Sequence, residues 1–150
     1  TVVSRSALFA IRCLPMTKLT VGEQLTPIVI EKISRTDFVK YAGASGDFNP
    51  MHHDETIATA TGNPSVFGHG MLTAGLMARV LTDEFGPEAL RKFQVRFAKP
   101  VWPGDTLTFT ATVTAIREEE GKTFVDLECT CSNQDGVEAL NGSATALNQN

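Results

Sequence analysis

The sequence lacks both a long hydrophobic run and an excess of basic residues. No apolar stretch approaches the roughly 20 residues of a membrane-spanning helix. The formal net charge is −4, from 13 basic and 17 acidic residues. We therefore expect neither a membrane nor a nucleic-acid partner. A chain of 150 residues, 42% hydrophobic and 20% charged, is instead typical of one soluble globular domain.

Several catalytic motifs are also missing. No G-x-G-x-x-G or P-loop pattern occurs, so nucleotide-dependent redox or phosphoryl chemistry has no support. No nucleophile elbow with a Ser/His/Asp set is present. The three cysteines (Cys13, Cys129 and Cys131) form no C-x-x-C pair. We interpret them as reduced, buried side chains in a reducing compartment.

Residues 1–15 differ from the rest of the chain, because they contain Arg5 and Arg12 but no acidic residue. We interpret them as an extension that comes from an upstream start or from cloning. Met16 then opens a typical cytosolic sequence, which predicts a cytoplasmic protein with one domain over 16–150. The alternative is the remnant of a transit peptide, which would indicate a mitochondrial protein.

Hydrophobic periodicity predicts an α+β fold. The predicted helices cover 34–44, 54–61 and 69–85, and the predicted strands cover 25–33, 92–97, 106–115, 124–131 and 137–147. The last helix is so apolar that we expect most of it to be buried. We expect the last four strands to follow one another in antiparallel succession, with hairpin turns at 118–122 and at Asp135-Gly136. The result is a curved antiparallel sheet wrapped around a long central helix, whose exposed edges favour pairing of two protomers.

The candidate catalytic residues lie before the longest predicted helix. Asp47 and His52 are five residues apart across a loop kinked at Asn49-Pro50, so both side chains can point into one space. A carboxylate and an imidazole that share one water can activate its oxygen and move the second proton, as adding water to a conjugated double bond requires. Spacing alone equally allows Asp47 and Asn49 to organise only an Asx turn, with His52 as an ordinary loop histidine.

Gly70 and Met71 begin the predicted central helix, where backbone N–H groups have no intrahelical partner. These groups can stabilise the enolate charge that develops on a thioester carbonyl. Gly68 and Gly70 would let a substrate approach the backbone closely. The alternative interpretation is that G-H-G at 68–70 is only a tight entry turn.

His52, His53, Asp54 and His69 are residue types that bind metals. Adjacent histidines diverge on most backbones, however, and no H-x-H or H-x-x-x-H spacing is present. We therefore expect no metal, an exposed His53, and a His69 that takes part in loop hydrogen bonding.

A modest basic stretch precedes two prolines near the middle of the chain. It comprises Arg91, Lys92, Arg96 and Lys99. Lys92 and Arg96 share one face of a predicted strand and can meet the phosphates of coenzyme A or of a carrier protein's phosphopantetheine. The simpler interpretation of each residue is a solvated strand position.

The segment from Tyr41 to His52, continuing to Ala58, resembles the hydratase-2 signature of MaoC-like (R)-specific enoyl-thioester hydratases. It contains an aromatic residue, small residues, S-G-D-x-N-P-hydrophobic-H, and an alanine six positions further on. H-G-M at 69–71 and F-x-x-P-V-x-P-G-D at 97–105 also match. The resemblance covers about residues 17–147. The chain looks especially like the short single-domain members of this family, including bacterial 3-hydroxyacyl-thioester dehydratase subunits.

The resemblance implies a hot-dog fold, a dimer, and no metal or redox cofactor. It implies that Asp47 and His52 are the catalytic pair, that Asn49 helps to fix their loop, and that Gly70 donates to the thioester carbonyl. The implied reaction is reversible hydration of trans-2-enoyl thioesters to (R)-3-hydroxyacyl thioesters in fatty-acid metabolism, on coenzyme A or acyl carrier protein. Some relatives carry a serine where this chain has Ala78, so one auxiliary hydrogen bond is missing or replaced here.

Two alternatives stay open. The first is an acyl-CoA thioesterase, although that class usually places its carboxylate on or beside the central helix rather than on the loop that holds Asp47. The second is an acyl-binding partner subunit of a heterodimeric dehydratase. The presence of both Asp47 and His52 argues against this second alternative.

Overall fold

The computed structural model describes residues 19–148, and these form one antiparallel sheet together with three α-helices. The helices are α1 (Arg35–Ser45), α2 (Glu55–Ala60) and α3 (Gly70–Phe85), and the strands are β1 (Ile28–Ile30), β2 (Leu90–Phe97), β3 (Leu107–Glu119), β4 (Lys122–Ser132) and β5 (Glu138–Asn148). The predictions for residues 1–15, including Cys13 and the targeting alternatives, lie outside the described residues. None of the helices in residues 19–148 is long and apolar enough to span a membrane.

The two helices before α3 begin where the sequence predicts. Ser34 caps α1, since its Oγ accepts the N–H of Asp37 while the Asp37 carboxylate accepts the N–H of Ser34 at 2.9 Å. These hydrogen bonds hold the pKa of Asp37 below its ordinary value. Gly46, at φ 77°, ends α1, and the Asp54 carboxylate caps α2. The loop between these two caps carries Asp47 and His52.

The strand order is β1-β3-β4-β5-β2, so the predicted succession of the last four strands is wrong for β2. β3, β4 and β5 do form consecutive hairpins at the predicted turns, with positive φ at Glu120, Gly121 and Gly136. β2 pairs instead with β5, at the far edge of the sheet. The physical reason is that β1 already occupies the free edge of β3, with Ile30 opposite Leu107.

β1 is shorter than predicted. The sequence pattern predicts a strand over 25–33, but only Ile28–Ile30 are in regular strand conformation. Pro27 cannot donate to a strand partner, and Lys32 has φ 50°, which turns the chain away from the sheet. The flanking chain still follows β3, because the N–H of Leu25 donates to the carbonyl of Ala111.

The small residues of β5 allow the close approach of β2. A Cβ atom built on Gly142 would lie 2.0 Å from the backbone oxygen of Gln94. Only glycine fits at such a distance. The predicted bounds of this strand, 137–147, agree closely with the observed Glu138–Asn148.

Helix α3 packs against β2, β3, β4 and β5, so the sheet is laid over a central helix as the hot-dog fold requires. Its buried face carries five side chains, Thr73, Ala74, Met77, Val80 and Leu81. The prediction that most of α3 is buried is wrong for the opposite face, where Met71 is 62% exposed. The sheet of one chain covers only one side of the helix.

Cys129 and Cys131 lie on β4 and are fully buried as free thiols, as predicted. Burial raises the pKa of Cys129 to about 11 and that of Cys131 to about 12. Both thiols therefore serve as apolar packing groups in the core under the sheet.

Candidate active site

The loop after α1 folds on itself through its own side chains. The N–H of Asp47 donates to Ser45 Oγ, and Asp47 Oδ1 in turn accepts the N–H of Asn49 at 3.2 Å. Asn49 Oδ1 accepts the N–H of Met51 at 3.1 Å and so caps the short 3₁₀ helix Pro50–His52. The Asx turn that the sequence suggested is therefore present, and Asp47 and Asn49 each close one such turn. Asp47 therefore has a turn-forming role, which is compatible with the chemical role expected of it.

His52 ends this 3₁₀ helix and is buried, with 8% of its surface exposed. Its Nδ1 lies 2.7 Å from the backbone oxygen of Phe67. A carbonyl oxygen can only accept, so Nδ1 carries a proton, and in the tautomer that this selects Nε2 is the acceptor. The Phe67 ring also packs edge-on against His52, with centroids 5.1 Å apart. The orientation and the tautomer of His52 are both set by these contacts.

His69 also belongs to this site, although sequence reasoning assigned it only loop hydrogen bonding. Its hydrogen bond runs to the loop that follows α1, from Nε2 to the backbone oxygen of Asp47 at 3.0 Å. In addition, the His69 ring stacks on His52 with centroids 3.9 Å apart. The sequence signal that could have identified His69 is its position directly before the longest apolar helix, where a buried polar residue is unusual.

Asp47, His52 and His69 each offer one polar atom, and these three atoms lie within 4.8 Å of one another. Two groups that each bind the same water stand about 5 Å apart, so the cluster has the right size to hold one water. The set also has the residue types of a metal site. The two imidazole planes, however, are stacked and tilted by only 31°, so their in-plane lone pairs do not converge on one ion.

The N-terminus of α3 lies beside this cluster. Among the hydrogen bonds of residues 19–148, none uses the backbone N–H of Gly70 or Met71. A Cβ atom on Gly70 would lie 3.2 Å from the ring of Phe97, so glycine lets this side chain pack closely against the start of α3. Two N–H groups at the positive end of a 16-residue helix can bind a developing oxyanion.

A cavity of about 340 Å³ opens next to these N–H groups. Its walls include Gly70 and Thr73 from α3, Phe67 and Phe97, and Lys99 from the segment after β2. Most of this lining is apolar, which suits an acyl group, while Lys99 supplies one cation. Lys99 is the member of the predicted basic stretch that the fold brings to the cavity.

The F-x-x-P-V-x-P-G-D segment at 97–105 makes backbone hydrogen bonds to the residues that precede α3 and α1. The N–H of Gly68 donates to the carbonyl of Val101 at 2.8 Å, and the N–H of Gly104 donates to the carbonyl of Ile33 at 2.7 Å. The buried carboxylate of Asp105 accepts the N–H of Trp102 at 2.8 Å and closes the turn. This segment therefore ties the entrance of α3 to the start of α1.

The remaining residues singled out from the sequence lie outside the cluster. His53 is exposed as predicted, and its Nε2 lies 3.2 Å from the backbone oxygen of Phe48. Asp54 caps α2. Lys92 and Arg96 are exposed on the edge strand β2, which agrees with the simpler interpretation of solvated strand positions.

The comparisons with known proteins all point to the same family. Residues 17–132 match the family model described as MaoC like domain. The (R)-specific enoyl-CoA hydratase of Rhodospirillum rubrum is 39% identical over 117 residues, which are 77% of this chain and 79% of that protein. The 3-hydroxybutyryl-CoA dehydratase of Methylorubrum extorquens is 37% identical over 136 residues, 89% of this chain and 83% of that protein.

Solved structures agree with this result. An (R)-hydratase from A. caviae involved in PHA biosynthesis superposes with a TM-score of 0.75 at 29% identity, covering 85% of this chain and 96% of the other. One chain of the ChsH1-ChsH2 complex from Mycobacterium tuberculosis superposes with a TM-score of 0.76 at 26% identity, covering 87% and 98%. Similar folds are therefore found both in an (R)-hydratase and in a complex of two different subunits.

Proposed function

The chain belongs to the MaoC-like domain family, and from this premise we propose that it hydrates trans-2-enoyl thioesters reversibly to (R)-3-hydroxyacyl thioesters in fatty-acid metabolism. The observation that carries the proposal is the meeting of Asp47 and His52 beside the free N–H groups at the start of α3. The relatives described above are a hydratase and a dehydratase of acyl-CoA thioesters by name. The reaction is a hydro-lyase reaction in either direction.

In this mechanism Asp47 and His52 hold one water between them. As the water oxygen bonds to Cβ of the enoyl group, one member of the pair takes a proton from the water. The electrons of the double bond move toward the thioester carbonyl, and the N–H of Gly70 donates to the resulting enolate oxygen. The pair then delivers a proton to Cα, which completes the addition of water. Dehydration follows the same steps in reverse.

The hydrogen bonding of His52 defines which ring atom takes part. Nδ1 is bound to the carbonyl of Phe67 at 2.7 Å, so proton exchange with water or substrate uses Nε2. Asn49 keeps the loop in place through the N–H of Met51, and its own N–H donates to Asp47. Asn49 therefore acts by holding the catalytic pair rather than by touching the substrate.

The substrate is proposed to be an acyl thioester of coenzyme A or of acyl carrier protein. The largely apolar cavity beside Gly70 would take the carbons near the thioester, and Lys99 would attract the anionic carrier group. The position of the acidic residues favours hydration over thioester hydrolysis. The carboxylates of α3, Asp83 and Glu84, lie in its last turn and far from Gly70 along the helix.

We further propose that two copies of the chain associate through β2. This strand has eight residues and lies at an edge of the sheet, whereas the other edge, β1, has only three. Exposed apolar side chains adjoin the site residues, namely Phe48 at 64%, Met71 at 62% and Phe97 at 49%. A long open edge and an apolar patch both favour a partner. A mass of two chains by light scattering supports this assembly, and a mass of one chain contradicts it.

The decisive assay measures hydration of crotonyl-CoA and of longer enoyl-CoA substrates, with chiral analysis of the product. We expect (R)-3-hydroxyacyl-CoA. Asp47→Asn and His52→Ala should each lower kcat by about 10² to 10⁴-fold, the usual contribution of general acid–base catalysis. His53→Ala is the matched control, because this neighbouring histidine is exposed and lies outside the cluster.

Three results would contradict the proposal. Folded Asp47→Asn and His52→Ala variants that hydrate as fast as the parent would remove the pair from the mechanism. Release of free thiol from saturated acyl-CoA would indicate a thioesterase. Activity that appears only after a second, different subunit is added would indicate a partner subunit of a heterodimeric dehydratase.

A further inference from the structure

His69 is a buried polar residue at the centre of the site. Only 1% of its surface is exposed, and its backbone is the N-cap of α3, directly before Gly70. The catalytic mechanism proposed above does not use it. Its position between the catalytic loop and the start of α3 nevertheless gives it contact with each part of the site.

The polar contacts of His69 define its protonation. Nε2 lies 3.0 Å from the backbone oxygen of Asp47, so this nitrogen carries a proton and donates it. Nδ1 is buried and has no partner within residues 19–148. Burial lowers the pKa of His69 below its ordinary value, mainly because the charged ring would lose its hydration. The ring is therefore neutral, with a single polar contact that anchors the Asp47 backbone.

The His69 ring also has two aromatic neighbours. One neighbour is His52, with ring centroids 3.9 Å apart and planes tilted by 31°. The other is Tyr41 of α1, with centroids 5.0 Å apart. His52 is thus held at one ring edge by the Phe67 carbonyl and at its face by His69. A neutral ring is suited to this contact, because a cationic ring would repel His52 when His52 itself takes up a proton.

We propose that His69 is a positioning residue that sets the placement of Asp47 and His52 relative to each other, a role that rests on the proposed hydratase function. It holds Asp47 through its backbone and His52 through its ring. Because His69 contacts both members of the pair, its loss changes the distance and angle between them. Misplacement of reacting groups by about 1 Å can lower a rate by about 10²-fold without weakening substrate binding.

The test compares two substitutions of His69 in the full chain. His69→Phe keeps a flat ring against His52 but removes the donor to Asp47. His69→Gln keeps an N–H donor at a similar distance from the backbone. With crotonyl-CoA, we expect kcat of His69→Phe to fall about 10²-fold while KM changes little, and His69→Gln to recover about 10-fold of this loss. His53→Phe is the matched control, since His53 also contacts a loop carbonyl but lies outside the cluster, and its kcat should equal that of the parent.

A purely structural role would give a different pattern. It predicts that His69→Phe and His69→Gln lower the melting temperature together and lower kcat equally, and this result would overturn the proposal. An unchanged kcat in His69→Phe would also overturn it. A rise in KM alone would assign His69 to substrate binding and would likewise contradict the positioning role.

Nuclear magnetic resonance separates this proposal from the proposed function. The ring nitrogen signals of His52 report its tautomer and surroundings, and the amide signal of Phe48 reports the peptide group that contains the Asp47 carbonyl. We expect both signals to shift in His69→Phe, whereas His53→Phe should shift chiefly the Asn49 amide, whose peptide group contains the Phe48 carbonyl that His53 contacts. If the parent fails to hydrate enoyl thioesters, the hydratase function fails, while these shifts still decide whether His69 positions the pair. Unchanged signals in His69→Phe would reject the positioning role whatever the activity.

Discussion

The imidazole rings of His52 and His69 stack with their centroids 3.9 Å apart, although the two residues come from different loops. The contact joins the 3₁₀ helix Pro50–His52 to the N-cap of α3. The loop that carries the proposed acid–base pair and the N-terminus of α3 therefore form one packed unit. A change on either side of this contact is expected to affect the other side.

The first prediction concerns the backbone N–H of Gly70. Gly70→Ala adds a Cβ about 3.2 Å from the Phe97 ring, which is half exposed and can shift. Gly70→Pro adds the same Cβ, and its ring carbon Cδ replaces the amide hydrogen, so the N–H donor is lost. Proline is tolerated at the first position of a helix, and His69 at φ −61° and ψ 132° has a conformation that accepts a following proline. We expect kcat of Gly70→Pro to lie about 10² to 10³-fold below that of Gly70→Ala.

Steady-state hydration of crotonyl-CoA by the two Gly70 variants measures this difference. Melting temperatures measured by circular dichroism serve as the control for folding. Equal kcat values in two folded variants would show that the Gly70 N–H does not stabilise the enolate. The comparison separates the loss of the donor from the addition of the Cβ, which a single substitution cannot do.

The second prediction concerns the pairing of β2 with β5. Gly142→Ala places a Cβ where the backbone oxygen of Gln94 lies, and a backbone atom cannot move without breaking the strand pair. We expect the free energy of unfolding to fall by about 3 kcal/mol or more. Gly43→Ala in α1 is the matched control, since nothing lies within 4 Å of its Cβ position. It should raise the free energy of unfolding by about 0.5–1 kcal/mol.

Urea unfolding of both glycine variants provides the measurement. Similar unfolding midpoints for Gly142→Ala and Gly43→Ala would show that the two strands are further apart than the structure indicates. Because β2 is also the edge proposed to meet a second chain, the mass of Gly142→Ala in solution should be recorded in the same samples.

The third prediction is a pH dependence of stability due to His69. Its pKa is lowered below the ordinary 6.5, so the unfolded chain takes up a proton at a pH where the folded chain does not. The stability linked to this group is present in full above the unfolded pKa and is lost as the pH falls through it toward the folded pKa. The free energy of unfolding should therefore drop less between about pH 7.5 and about pH 5 in His69→Gln than in the parent.

Urea unfolding at both pH values tests this expectation. His53→Gln is the control, since it replaces an exposed histidine that lies outside the cluster. An identical pH dependence in the parent and in His69→Gln would mean that the buried ring does not titrate differently in the folded chain.

The fourth prediction concerns the two core thiols. With pKa values of about 11 and about 12, Cys129 and Cys131 carry almost no thiolate near pH 8, and both are fully buried. We expect iodoacetamide to leave both unmodified in the folded protein and to label both after unfolding in urea. Peptide mapping by mass spectrometry distinguishes them from Cys13. Rapid labelling of either residue in the folded protein would contradict their burial.

Local signals in the sequence were sufficient for much of the fold. The capping box at Ser34 and Asp37, the breaks at Gly86-Pro87 and Asp135-Gly136, and the alternation in β3 and β4 all act over a few neighbouring residues. Such local interactions do not depend on contacts with distant parts of the chain. The loop of Asp47 and His52 was identifiable for the same reason, because its turns are made by its own side chains.

Contacts between distant segments were decided by the tertiary structure alone. The place of β2 beside β5 depends on which strand edges remain free once β1 has paired with β3. One side of α3 is exposed because the single sheet packs only on the other side. The helical periodicity of the sequence does not reveal how many sides of a helix are covered. The role of His69 depends on a loop carbonyl and an imidazole that reach it only after folding. The sequence by itself determined the turns of this loop and marked Asp47 and His52 as candidates, and packing determined which side chains contact them.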